Sequence, residues 1–139
     1  MSSQLSEKDS VARMDAWYHV AKNNDKTGIE NMLAQDVVFH SPVVHTPQRG
    51  KKITAIYLAA AFNVFSNQSF QYVREVNDGY DTVLEFEVEI DGVHINGIDM
   101  IRWNAAGQIA EFKVMVRPLQ GVNMLHKKMQ EMLAQAKSS

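Results

Sequence analysis

The first part of the chain repeats its hydrophobic positions every three to four residues, a spacing that predicts amphipathic helices. The first helix follows a weak capping signal at Ser6 and Asp9. Its apolar stripe consists of Val11, Met14, Trp17, Tyr18 and Ala21. A second, short helix is expected to open at a capping box over residues 27–30. A third helix follows Gly50, and its apolar face consists of Ile53, Ile56, Tyr57, Ala60 and Val64.

Residues 36–41 (DVVFHS) are rich in β-branched side chains and stop at Pro42, which predicts an edge strand. From about residue 70 the hydrophobic pattern changes to a period of two, which predicts a block of strands. The turn at residues 77–79 is ambiguous in length. The pattern therefore does not decide which side chains of residues 70–76 point inward.

A two-residue hairpin turn at Asp91-Gly92 sets the register of the strands on either side of it. The pairs expected on the apolar face are Ile90 and Val93, Val88 and Ile95, Phe86 and Gly97, and Leu84 and Asp99. The pairs expected on the opposite face are Glu89 and His94, Glu87 and Asn96, and Asp81 and Arg102. Apolar residues thus collect on one face and polar residues on the other, which supports this register.

After a turn at residues 104–107, the last strand again alternates, and Pro118 ends it. Its inward positions are Ala110, Phe112, Val114 and Val116. A C-terminal helix is expected at about residues 121–136, with Val122, Leu125, Met129, Met132 and Leu133 on its apolar face. Helices gathered before a mostly antiparallel sheet predict an α+β fold.

The composition favours a single folded domain over residues 1–139, since 45% of the residues are hydrophobic and the net charge is −2. The near-neutral charge argues against nucleic acid as a partner, and no apolar run is long enough to span a membrane. The chain has no cysteine, which excludes disulfides and thiolate chemistry. The polar first ten residues do not have the pattern of a signal peptide, so we expect a cytoplasmic protein.

Asp99 stands out because the hairpin register places it on the apolar face, opposite Leu84. A buried carboxylate is costly when ionised, so Asp99 should be paired, hydrogen-bonded or protonated with a raised pKa. A neutral carboxyl group in an apolar pocket donates a hydrogen bond and suits a developing oxyanion. In the alternative interpretation Asp99 only accepts hydrogen bonds from a helix or a tyrosine, and the pattern leaves both open.

His40 and His45 flank Ser41-Pro42. His40 is a candidate general base because imidazole titrates near neutral pH, although a strand histidine with its tip in water fits the pattern too. No HExxH motif or acidic ligand spacing accompanies the histidines, and we expect neither a metal nor another cofactor. Trp17 and Tyr57 lie on inward helical stripes, and their polar hydrogens need partners.

Residues 23–44 (NNDKTGIENMLAQDVVFHSPVV) and 97–121 (GIDMIRWNAAGQIAEFKVMVRPLQG) resemble SnoaL-like proteins and ketosteroid isomerases of the nuclear transport factor 2-like superfamily. The resemblance implies a cystatin-like α+β roll, in which a cone-shaped, mostly antiparallel sheet wraps around the N-terminal helices and a deep apolar pocket. It also implies a homodimer through the outer sheet face, which would include Glu87, Met100 and Met115.

The resemblance also implies roles for individual residues. The hydrogen-bond-donating Asp of the ketosteroid isomerases matches Asp99, their donor Tyr matches Trp17, and their base, an Asp before a proline, matches Ser41. One of the three catalytic residues is therefore retained, one is replaced by a different donor, and the base is lost. The loss of the base argues against steroid isomerisation by the family mechanism.

Our leading hypothesis is a cofactor-free isomerase or cyclase that acts on an apolar carbonyl compound. Protonated Asp99 would stabilise an enolate-like oxyanion with help from Trp17 or Tyr57, and His40 would accept the proton. Ligand contacts are expected from Ser41, Tyr57, Phe86, Phe112 and Val114. Two alternatives remain, a non-catalytic dimer that binds an apolar ligand and a structural dimer whose pocket is filled by side chains.

Overall fold

The structure, a computed structural model, describes residues 7–67 and 69–138. Within these ranges it contains the following helices and strands, numbered in chain order: α1 (Glu7–Asn23), α2 (Lys26–Met32), β1 (Leu33–His40), β2 (Gln48–Arg49), α3 (Lys51–Phe65), β3 (Gln71–Asp78), β4 (Asp81–Ile90), β5 (Val93–Trp103), β6 (Ile109–Arg117) and α4 (Leu119–Ser138). The predicted C-terminal helix is thus confirmed and extends slightly further at both ends.

The strands form one curved, unclosed six-stranded sheet in the order β2-β1-β6-β5-β4-β3. β1 runs parallel to β6, and the other neighbouring strands are antiparallel. This architecture confirms the predicted α+β class. None of the described helices is long and apolar enough to cross a membrane.

The register predicted from the Asp91-Gly92 turn is confirmed at every pair, including Leu84 with Asp99. Both turn residues have positive φ values, as this type of tight hairpin requires. One prediction for β6 is wrong. Trp103 pairs with Ile109, so Ala110 is the extra residue of a bulge and Ile109 is the buried side chain at this end of the strand.

Three predictions about the helices are also wrong. The N-cap of α2 is Asp25, whose carboxylate accepts a hydrogen bond from the Gly28 backbone N–H at 3.0 Å, so the helix begins before the expected capping box. Val11 and Ile56 are exposed, at 56% and 46%. α3 is apolar around most of its circumference, so its periodicity does not define one inward face. Leu58 is buried and Ile56 is exposed because of how the helix packs against the rest of the fold.

β1 is not an edge strand, because the two-residue strand β2 pairs with it on the side away from β6. A pairing of two residues is too short to leave a periodic pattern in the sequence.

The core lies between the concave face of the sheet and the helices and consists of two hydrophobic clusters. One is built around Trp17 and Trp103, and the other around Phe86 and Leu125, which α4 contributes.

Candidate functional site

Asp99 lies in the middle of β5 on the concave face of the sheet. Its neighbours across the two adjacent strands are Leu84 and Val114. Only 7% of Asp99 is exposed, so the hairpin places a carboxyl group in an apolar interior as the register predicts.

Three side chains from separate elements form a hydrogen-bonded relay that ends at this carboxyl group. The indole N–H of Trp17, on α1, donates to the Tyr72 hydroxyl oxygen at 3.3 Å. The Tyr72 hydroxyl, on β3, donates to Oδ2 of Asp99 at 2.8 Å. Among the described residues Tyr72 is the single hydrogen-bond partner of the Asp99 carboxyl group, so Oδ1 remains for another donor or acceptor.

Burial raises the pKa of Asp99 to about 7, and the hydrogen bond from Tyr72 opposes this rise because it stabilises the ionised form. Burial and the nearby Asp99 charge raise the pKa of Tyr72 well above its ordinary value. Near neutral pH the Asp99 carboxyl group is therefore present in both its protonated and its ionised form, whereas the Tyr72 phenol stays protonated.

A cavity of about 30 Å³ adjoins Asp99, and we call it the Asp99 cavity. Its lining is mostly apolar, and its members come from the sheet, from α3 and α4, and from the segments around residues 41–43 and 70: Phe39, Ser41, Pro42, Val43, Leu58, Ala61, Phe62, Phe65, Phe70, Tyr72, Phe86, Asp99, Phe112, Val114, Leu125 and Met129. This volume suits a water molecule or two, whereas pockets for small ligands measure roughly 300–1,000 Å³. A larger ligand would have to displace side chains.

A second, open depression of about 580 Å³ lies next to the Asp99 cavity, and we call it the outer cleft. Its described lining consists of Tyr18, Ala21, Lys22, Phe62, Phe65, Ser66, Asn67, Phe70, Gln71 and Tyr72. Phe62, Phe65, Phe70 and Tyr72 line both spaces, so these aromatic rings form the wall between them.

The structure brings most of the predicted ligand contacts to the same place. Ser41, Phe86, Phe112 and Val114 line the Asp99 cavity. Trp17 lies one hydrogen bond further away, because it donates to Tyr72 and not to Asp99 itself. Tyr57 packs against Phe39 with 5.5 Å between ring centroids and is not among the residues that line the Asp99 cavity.

His40 does not face Asp99, which removes the basis for assigning it as the proton acceptor there. Successive residues of β1 alternate between the two sides of the sheet, and Phe39 takes the inward position. The irregularity in β1 lies before Val38, so it cannot turn the His40 side chain inward. His40 Nε2 instead lies 3.2 Å from Oε2 of Glu111. Within residues 7–67 and 69–138, no three side chains come together in a way that could hold a metal ion.

Sequence reasoning missed Tyr72, because an irregularity in β3 decides where its side chain points. Near the turn that joins β3 and β4, Glu75 pairs with Leu84. The same register, continued away from the turn, would place Val73 opposite Phe86. A bulge between Tyr72 and Arg74 shifts the register, and Tyr72 takes the place opposite Phe86 on the concave face. The only signal in the sequence that points to Tyr72 is indirect: the buried carboxyl group of Asp99 needs a hydrogen-bond donor, and a tyrosine can supply one.

The chain belongs to the SnoaL-like domain family, whose family model matches residues 14–112. It is similar to the crystal structure of a steroid delta-isomerase from Pseudomonas aeruginosa, with 33% sequence identity and a TM-score of 0.88 over 98% of this chain and 99% of that chain.

An uncharacterised bacterial protein with a cystatin-like fold from Silicibacter pomeroyi is 30% identical, with a TM-score of 0.79 over 86% of this chain and 83% of that one. A nuclear transport factor 2-like protein of unknown function from Mesorhizobium loti shares the fold at 15% identity, with a TM-score of 0.68 over 80% of this chain and 93% of that chain. Among curated proteins, none matches this chain.

Proposed function

We propose that this protein binds an apolar carbonyl compound with the carbonyl oxygen against Asp99 and acts on it as a cofactor-free isomerase or cyclase. The observation that carries the proposal is a carboxyl group with a pKa of about 7, buried in an apolar cavity and held by Tyr72. The similarity to a steroid delta-isomerase along nearly the whole chain supports the same class of reaction.

The relay suits Asp99 to stabilise negative charge on a ligand oxygen. When the proton on the carbon next to a carbonyl group passes to a water molecule, charge accumulates on the carbonyl oxygen, and protonated Asp99 would donate a hydrogen bond to it through Oδ1. Tyr72 holds Oδ2 in place, and Trp17 orients Tyr72. One such preorganised donor lowers a reaction barrier by about 2.7–4 kcal/mol.

A second candidate function is binding of the same class of ligand without turnover. The described lining of the Asp99 cavity contains no His, Glu or Lys. The resemblance to the ketosteroid isomerases implies that Ser41 occupies the position of their base. A separate proton acceptor is therefore not among these residues. This observation favours a binding protein in which Asp99 orients the ligand.

Binding to Asp99 is tested by thermal unfolding with phenols of graded acidity, which imitate an enolate oxygen on an apolar frame. A phenol at 100 times its dissociation constant should stabilise the wild type by about 2.7 kcal/mol. The effect should grow with phenol acidity and disappear in Asp99→Ala. Asp81→Asn, at an exposed position of the neighbouring strand, is the matched control and should behave like the wild type. No stabilisation of the wild type would contradict the proposal and favour a filled, structural pocket.

Turnover is tested separately by hydrogen–deuterium exchange next to the carbonyl group of a cyclic enone in heavy water. An enzyme should accelerate this exchange, and Asp99→Asn should slow it by about a hundredfold or more. Phenol binding without accelerated exchange would favour the non-catalytic binding protein.

The predicted homodimer through the outer sheet face remains part of this proposal. Met100 and Met115 are 37% and 48% exposed on that face, which is consistent with a partner there. Analytical ultracentrifugation of the wild type and of Met115→Glu tests it, and a monomeric wild type would remove it.

A further inference from the structure

The described lining of the outer cleft combines an apolar floor with one charged residue. Among the described residues that line it, Lys22 is the one that carries a charge, and Lys22 does not line the Asp99 cavity. The floor is formed by aromatic rings, four of which also face the cavity. An elongated ligand that displaces these rings to reach Asp99 from this side would therefore place its apolar body against them and its far end near Lys22.

Lys22 has no acidic partner among the described side chains. It lies in the last turn of α1, exposed to solvent, and forms no ion pair there. Glu75 lies close to the cleft residue Tyr18 but already accepts hydrogen bonds from Tyr18 and Asn77. Lys22 thus remains available to a ligand anion.

The volumes of the two spaces also favour a ligand that extends into the cleft. The Asp99 cavity, at about 30 Å³, cannot hold a whole ligand, whereas the outer cleft, at about 580 Å³, falls within the range of small-molecule sites. Ser66 and Gln71 line the cleft and make no described side-chain hydrogen bond, so both can donate to a polar group there.

We propose that the outer cleft is a binding subsite for a carboxylate, so that the ligand is an elongated apolar carbonyl compound with a carboxylate at the end that lies far from Asp99. This inference rests on the proposed function, because it places the carbonyl end of the same molecule against Asp99. It defines the ligand class more narrowly, since a carboxylate at the far end would form an ion pair with Lys22 that a neutral apolar ketone cannot form.

The inference is tested with phenols that carry an alkyl chain of increasing length and end in a carboxylate, in its methyl ester or in an amine. Dissociation constants are measured by titration calorimetry. Once the chain is long enough to reach Lys22, the acid should bind the wild type about two- to fivefold more tightly than its ester, the range expected of an exposed ion pair. The amine should bind more weakly than the ester. The preference for the acid should shrink as the salt concentration rises.

Two variants localise the effect. Lys22→Gln should remove the preference for the acid and leave the affinity for the ester unchanged. Lys127→Gln, the same change at an exposed position of α4, should keep the wild-type preference. Asp99→Asn should weaken the binding of all three probes, because it alters the site of the phenol group.

The possible failures are distinguishable. Equal affinities for the acid and the ester at every chain length, or a preference for the amine, would overturn the carboxylate subsite and leave the proposed function standing. A preference for the acid that survives in Lys22→Gln would also overturn it. If no phenol binds at all, both the subsite and the proposed function are wrong.

Discussion

Two hydrogen-bonded relays in this molecule have the same construction. In each, an indole N–H donates to a hydroxyl group, and that hydroxyl group donates to the side-chain oxygen of a third residue. In the first, which we call the amide relay, Trp103 donates to Thr82 at 3.0 Å and Thr82 donates to the side-chain oxygen of Asn77 at 2.6 Å. Trp103 and Thr82 are almost completely buried, and Asn77 is exposed.

The second, the carboxyl relay, runs from Trp17 through Tyr72 to Asp99. It differs in its last residue and in what that residue faces. The amide relay ends in a group that does not titrate and that lies at the surface. The carboxyl relay ends in a titratable group at an apolar cavity. In both relays the hydrogen bond from a buried tryptophan fixes the position of a hydroxyl group. Only the carboxyl relay can also transfer a proton, because it ends in a titratable group that faces a cavity.

The largest difference between the relays should appear in the pH dependence of stability. Because burial raises the pKa of Asp99 to about 7, the folded protein retains this proton above the pH at which the unfolded chain releases it. The free energy of unfolding should therefore fall between about pH 4 and pH 7, in total on the order of 4 kcal/mol. Asp99→Asn should lose this contribution, as measured by urea unfolding at a series of pH values.

Asn77→Asp is the matched change in the amide relay. This substitution places a carboxyl group at an exposed position. The difference in the free energy of unfolding between Asn77→Asp and the wild type should therefore change by less than about 1 kcal/mol between about pH 4 and pH 7. Parallel pH profiles for the wild type and Asp99→Asn would contradict the assignment of a raised pKa to Asp99.

The next largest effect should come from removing the indole donors. Trp17→Phe and Trp103→Phe each delete a buried N–H and leave a gap of similar size, and each should cost about 2–3 kcal/mol of stability. Only Trp17→Phe should also raise the pKa of Asp99, because Tyr72 then becomes a weaker donor. Carboxyl carbon NMR titration measures this, and an unchanged Asp99 titration would show that Trp17 does not act through Tyr72.

A smaller effect on stability, of about 1–2 kcal/mol, is expected when the middle hydroxyl groups are removed by Tyr72→Phe and Thr82→Val. The Tyr72 hydrogen bond holds the pKa of Asp99 down, so Tyr72→Phe should move it above about 7. The fall in stability with rising pH should then continue to higher pH than in the wild type. Thr82→Val should leave the Asp99 titration in place, and a shift there would mean that the two relays are coupled.

The smallest effect is expected outside both relays, at the pair of His40 and Glu111. Their side chains are 26% and 40% exposed, so His40→Asn should change stability by less than about 1 kcal/mol. Phenol binding and carbonyl-linked exchange should stay at wild-type levels, since His40 faces away from the Asp99 cavity. A large loss of phenol binding or of carbonyl-linked exchange in His40→Asn would show that His40 contributes to the site.

Local signals in the sequence were sufficient for the part of the site that lies in the β4–β5 hairpin. The Asp91-Gly92 turn and the alternation around it determine the register within a short stretch of chain, and the register places Asp99 inside. The residues that resemble the SnoaL-like family, 23–44 and 97–121, run from the end of α1 past β1 and from β5 to the start of α4, and the family model confirms that resemblance.

Tertiary structure alone decided the rest. Tyr72 points inward because of a bulge at Val73, and its partners Trp17 and Asp99 lie 55 and 27 residues away in the chain. The size of the cavity depends on how aromatic rings from α3, β4 and the segment before β3 pack together. Turns and alternation are encoded by neighbouring residues, whereas bulges, relays and cavity volumes are set by contacts between distant elements, which no local pattern specifies.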